Sequence, residues 1–178
     1  MDYLPGTTVE VNKDSSAKSF LDSAFMTGGL VLSQVVQLTG LEPHTIQNWV
    51  KRQFIAPPDH KKYGLAQFCR MAIINMLKDI FQIERIVYML DYVRTADSGI
   101  DEAFIYIMLC DIMGIVPFDA IVEQTDIDGI IARAVDAADV SAIGGERLKH
   151  VLKILVLSSI SARIRNRAEL LLLEIEQD

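Results

Sequence analysis

The sequence predicts an all-α fold with one small two-stranded element, and three observations carry that prediction. Apolar residues recur at spacings of three and four along most of the chain, the mark of helices with one buried face. Glycine and proline fall between those stretches rather than inside them. One short segment, Ala56-Pro57-Pro58 through Lys61-Lys62-Tyr63, lacks helical period and reads as a basic two-stranded turn.

Taken in order, residues 1–24 are mixed and weakly patterned, so they are expected to form an arm that is partly ordered at best. Ser33 suits an N-cap for a short helix over 34–39. Gly40 ends it, since the turn there needs positive φ. Pro43 cannot donate a backbone hydrogen bond and suits the first turn of a second helix, about 43–53. Ile46, Trp49 and Val50 mark its buried face, with Trp49 in the core rather than a stacking platform. Its opposite face carries His44, Thr45, Gln47, Asn48, Lys51 and Arg52. Pro57-Pro58 breaks the helix and sets the entry of the basic turn.

A third helix is expected over 65–78 (Phe68, Met71, Ala72, Ile74 and Leu77 inward) and a fourth over 82–93 (Ile83, Ile86, Val87, Leu90). Ser98-Gly99 marks a boundary near residue 96. Residues 101–113 are apolar on nearly all sides and should be deeply buried, ended by Gly114 and Pro117. Residues 126–138 are amphipathic, and Gly144-Gly145 reads as a turn. The last helix, 146 to about 175, is too apolar for one buried face, so it is expected to meet a second subunit as well as its own core.

Composition limits the function. The formal net charge of −7 argues against a general nucleic-acid binder, but its distribution is uneven. Residues 43–78 hold six bases (Lys51, Arg52, Lys61, Lys62, Arg70, Lys78) and one acid, Asp59; residues 97–139 hold ten acids and one base, Arg133. An acidic body with a basic head suits site-directed DNA contact, because the body repels DNA elsewhere. No apolar run spans a bilayer, the best candidate, 151–162, being short and interrupted by Lys153. The first twenty residues lack a secretory apolar region, and Cys69 and Cys110 read as reduced core residues, so a cytoplasmic setting is expected.

No nucleophile elbow, phosphate-binding glycine loop or His-Glu metal motif is present, so no enzyme, metal or cofactor is expected. The acids Asp126, Asp128, Asp136 and Asp139 do not follow a calcium-loop spacing and read as a solvated helix side. Met108, Met113 and the aromatics of 104–118 fit core packing better than an effector pocket. Chemistry therefore concentrates in residues 32–63. A helix, a glycine turn, a second helix and a basic hairpin make a winged helix-turn-helix, whose second helix enters the DNA major groove. Gln47 and Asn48 can bond adenine in a bidentate manner, while Lys51 and Arg52 reach guanine or phosphate. Lys61 and Lys62 suit phosphates. The Tyr63 ring suits a plug into the core, its hydroxyl a phosphate.

These residues resemble the DNA-binding unit of the MerR family. The likeness rests on Leu38-Thr39-Gly40, Pro43 through Trp49, Phe54-Ile55, Lys61-Lys62-Tyr63 and Ile80 through Ile86, and covers about residues 30–93. Four positions depart from that family's habit: Gln47 for an arginine, Asn48 for an aromatic, Val50 for an acid and Gln53 for a glycine. The run Asn48-Trp49-Val50-Lys51 with Pro57-Pro58 and Lys61-Lys62-Tyr63 resembles still more an uncharacterised bacterial family with a MerR-like N-terminal half. The MerR resemblance implies a homodimer joined by C-terminal helices and a small-molecule effector in the C-terminal region, with no effector identified. The resulting expectation is a transcriptional regulator with an arm at 1–24, a DNA-binding unit at 25–95 and a helical dimerisation and effector part at 96–178. The alternative is a protein-interaction adaptor that retains the winged-helix shape.

Overall fold

A computed structural model describes residues 2–11, 16–117 and 124–176. Helices dominate it, as predicted. In chain order the elements are β1 (Asp2–Tyr3), β2 (Glu10–Val11), α1 (Ala17–Ala24), β3 (Leu30–Val31), α2 (Leu32–Thr39), α3 (Pro43–Lys51), β4 (Lys62–Tyr63), α4 (Leu65–Leu77), α5 (Ile83–Arg94), α6 (Glu102–Ile115), α7 (Ile127–Asp136) and α8 (Ala142–Glu176). Among the described residues no helix is long and apolar enough to cross a membrane.

The core is built on α4 and α6, against which α5, α1 and the first half of α8 pack. The α4 sequence, LAQFCRMAIINML, has apolar residues on almost every side, and all of Phe68, Cys69, Met71–Ile74 and Leu77 are buried. Helix α6 buries Ile105, Tyr106, Leu109, Ile112 and Met113. One continuous buried cluster runs from Leu21 to Ile160, on both sides of residue 96. Met113 belongs to it and Met108 packs against it, as expected of gap-filling methionines; Phe118 lies outside the described residues. Burial raises both thiols, pushing Cys110 up to about 12, so neither is a ready nucleophile.

The N-terminal stretch is not the loose arm that its composition suggests. β1 and β2 pair antiparallel, with Tyr3 opposite Glu10, and the intervening loop lies on the core. Leu4 is buried, the Tyr106 hydroxyl donates to the Pro5 carbonyl at 2.7 Å, and Asn75 donates to the Gly6 carbonyl at 3.0 Å. Helix α1 is capped by Ser16 and buries Leu21 completely. Sparse local pattern misled the reading, because the anchors sit 69 and 101 residues away in sequence.

Two glycine assignments also change. Gly114 lies inside α6, which ends at Ile115; Val116, preceding Pro117, takes the extended conformation that a following proline favours. Gly144-Gly145 is the first turn of α8 rather than a loop. Helix α8 is entered at Ser141, whose hydroxyl accepts from the Gly144 amide at 3.1 Å. A Cβ on Gly144 would stand 2.7 Å from the Asp97 Cβ, so glycine there permits close approach of the α5–α6 loop. The acids of α7 are partly paired rather than merely solvated: Asp128 meets Lys153 at 2.8 Å and Asp136 meets Lys149 at 3.0 Å. The final third of α8 leaves the body, and Ile164, Leu170–Leu173 and Ile175 are exposed.

Asp97 joins the two halves of the fold at that entry. Its carboxylate accepts from the Ser141 amide at 2.8 Å and the Gly99 amide at 2.9 Å. These donors, the Ser141 amide foremost, hold its pKa below the usual carboxylate value. A lowered folded-state pKa means that the stabilisation is complete above the unfolded value of about 3.9 and disappears as pH falls through the folded one. Asp97→Asn should therefore be less stable than the parent by a constant amount above about pH 5, with the gap closing in more acid solution. Urea melts over that range check this; a gap that persists unchanged in acid would contradict it.

Candidate nucleic-acid interface

Helices α2 and α3 meet across a short turn, residues 40–42, held from several directions. Gly40 ends α2 with φ 68°, the left-handed turn that its position predicts. Thr39 is buried, donating to the Val35 carbonyl and accepting from the Leu41 amide. Thr8 of the β1–β2 loop donates its amide to the Leu38 carbonyl and its hydroxyl to the Gln37 carbonyl at the end of α2. Helix α2 starts two residues before the expected position: Gln34 accepts from the Val31 amide at 3.0 Å, and Ser33 is a helical residue, not the cap.

Helix α3 begins at Pro43 as expected and buries Ile46 and Trp49. His44, Gln47, Asn48 and Lys51 are exposed, and 44 is three and four residues from 47 and 48 as these are four and three from 51, so they form one stripe on the face opposite the core. Thr45 is half-buried at its flank. The helix stops at Lys51 rather than 53. The Phe54 amide donates to the Trp49 carbonyl and the Gln53 amide to the Val50 carbonyl, with Gln53 at φ 62°. This is the helix stop in which glycine is usual, and a side chain in that conformation costs about 1 kcal/mol.

The basic residues after α3 are less free than the sequence implies. Arg52 reaches the Glu84 carboxylate at 2.7 Å and lies over the Phe54 ring at 4.6 Å. Lys62 donates to the Thr27 carbonyl at 2.8 Å. Lys51 and Lys61 are exposed and make no ion pair among the described residues. The expected hairpin over 57–63 shrinks to one tight turn: Asp59 and Lys62 exchange both backbone hydrogen bonds around His60 and Lys61, both at positive φ. The outgoing strand β4 pairs not with residues 57–58 but with β3, Leu30 opposite Tyr63 and Val31 opposite Lys62. Two prolines cannot supply ladder donors, which explains the change of partner. Tyr63 is 4% exposed, its ring in the core as expected, and burial raises its phenol.

Sequence reading missed the residues that hold this unit, all on α4. Gln67 donates to the Ala56 and Pro57 carbonyls at 2.8 and 3.0 Å, fixing the proline segment. Arg70 donates from Nε to the Phe54 carbonyl at 2.7 Å, ion-pairs with Glu102 and lies 3.8 Å from Asp91. Asn75 donates to the Thr39 carbonyl at 3.0 Å. The signal was available: Arg70 is the lone charge in a mostly apolar helix, and such a charge demands a buried partner.

Residues 27–107 match the family described as "Domain of unknown function (DUF1836)". The match starts just before β3 and ends within α6, so it contains α2, α3, the tight turn and all of Arg70, Asp91 and Glu102. No curated protein matches the chain, and no solved structure does.

The arrangement offers a polar helix stripe and two free lysines on a unit clamped by α4. With Arg70 and Glu102 side chains each 12% exposed, Arg70→Met leaves a carboxylate buried without its partner and should cost about 3 kcal/mol in urea denaturation. Combining it with Glu102→Leu should recover most of that loss. A single-variant loss under about 1 kcal/mol would show that the pair does not clamp the fold.

Proposed function

We propose that the chain is a sequence-specific DNA-binding transcriptional regulator of MerR-like, winged helix-turn-helix type. In this reading α3 lies in the major groove and the tight turn at 59–62 acts as a reduced wing against the backbone. The observation that carries it is the stripe His44, Gln47, Asn48 and Lys51, exposed on a helix whose two ends are both fixed. Gln47 and Asn48 supply donor-acceptor amides for adenine, and Lys51 and Lys61 supply phosphate contacts. Thr45 flanks the stripe. Arg52, Lys62 and Tyr63 serve the unit's own architecture first. A regulator of this kind works in the cytoplasm as a homodimer, and the exposed Ile164, Leu170–Leu173 and Ile175 of α8 supply apolar surface for pairing.

A second reading, a protein-interaction adaptor, draws on a different observation. An apolar groove of about 500 Å³ runs between α5 and α8, walled by Phe81, Tyr88, Met89, Tyr92 and Ile154, in a chain of net charge −7. Salt dependence separates the two. Four cations per protomer give a dimer eight phosphate contacts and a log–log salt slope of about −7. With only Lys51 and Lys61 free, the slope on mixed-sequence duplex should be about −4. Glu84→Gln, which releases Arg52, should steepen it, and Lys51→Ala with Lys61→Ala should nearly abolish it. No duplex binding by the parent at low salt would favour the adaptor.

A further inference from the structure

Two apolar surfaces lie open on this chain, at different levels of one helix. The first is the groove between α5 and the first half of α8, about 500 Å³ in volume and walled by aromatic rings. The second is the tail of α8, where Leu157, Ser161, Ile164, Ala168, Leu171 and Ile175 are all exposed. Their spacing alternates four and three, the period of a seam that packs against another helix. The tail cannot fill the groove of its own chain. Helix α8 is continuous from Ala142 to Glu176, and about 26 Å of its length separates Ile154 in the groove from Leu171.

Charge marks what the groove takes. Arg85 lies over the Phe81 ring at 5.8 Å, and Arg147 lies over the Tyr92 ring at 4.4 Å, at the other end of α5. Neither guanidinium forms an ion pair among the described residues. Glu84, the one acid among the described residues that line the groove, is taken up by Arg52. The tail carries the complement. Glu169 and Glu176 stand about two helical turns apart on one flank of the seam, with Leu172 between them, and all three are exposed. Neither carboxylate forms an ion pair among the described residues.

We propose that two copies of the chain pair by exchanging tails. The α8 tail of each copy lies antiparallel along α8 of the other, with Leu172 in the α5–α8 groove, Glu169 at Arg85 and Glu176 at Arg147. A two-fold axis near Ser161 gives this register and sets Ala168 of one copy beside Ile154 of the other. Such an isologous contact makes each pair twice. A parallel arrangement would set tail beside tail and bring neither Glu169 nor Glu176 to a groove. The proposal rests on the homodimer of the reading above and locates its interface; it needs no contact with DNA.

Sedimentation velocity of the full chain at several micromolar concentrations, without DNA, tests this. The parent should be a dimer. Arg85→Glu and Glu169→Arg should each weaken it about tenfold, because each substitution acts at two symmetric sites, and the double variant should regain the parent's affinity. Both side chains are exposed, so each variant should keep the parent's circular dichroism. Leu172→Glu should give a monomer. A monomeric parent (which would leave the groove to a different protein), a dimer that Arg85→Glu does not weaken, or a double variant no tighter than the single ones would each overturn the proposal. Failure of the DNA-binding reading shows in duplex binding instead, so the two outcomes are distinguishable.

Discussion

Everything that this protein presents to a partner depends on how α4 holds α2 and α3, and Arg70 is the centre of that grip. A guanidinium inside an apolar helix must be paired, and this one is shared between Glu102 of α6, Asp91 of α5 and the Phe54 carbonyl just past α3. One side chain thus ties the end of α3 to two helices of the body. Gln67 and Asn75 repeat the device at the proline segment and at the end of α2. The apolar residues of α4 fill the core while its three polar residues donate to carbonyls that loops leave unsatisfied. The stripe on α3 is therefore carried by a rigid body rather than by a hinged pair of helices.

Electrostatics follows from the same geometry. Counting charges along the chain assigns the head four cations near the second helix, yet folding commits two of them. Arg52 turns back to Glu84 and the Phe54 ring, and Lys62 is held at the Thr27 carbonyl beside its strand. What remains, Lys51 and Lys61, sits on an acidic protein whose α7 carboxylates are partly balanced by Lys149 and Lys153. In the proposed DNA-binding reading, contact with a polyanion is therefore weak in its non-specific part and leans on the amides of Gln47 and Asn48 for selectivity.

The helices were legible in the sequence because periodicity is local. The Gly40 turn, the Pro43 start, the buried faces of α3 to α6 and the core position of Trp49 all follow from spacing within a dozen residues. What escaped was set by distant partners. The β1–β2 stretch is ordered by Asn75 and Tyr106, and β4 finds β3 rather than its own neighbour. Gly144-Gly145 looks like a turn until Asp97 is seen against it. The candidate site divides in the same way. The stripe on α3 could be read directly, but the commitment of Arg52 and Lys62 to protein partners could not, since Glu84 and Thr27 lie 32 and 35 residues away.

The claim that the α3 stripe reads DNA sequence is tested most directly by selection from random duplexes with the purified full chain at two salt concentrations, alongside its Gln47→Ala variant. The parent should enrich one motif that persists at the higher salt, and Gln47→Ala should broaden that motif more than it lowers the total DNA bound. No enrichment by the parent, or equal losses on all sequences in the variant, would contradict the account.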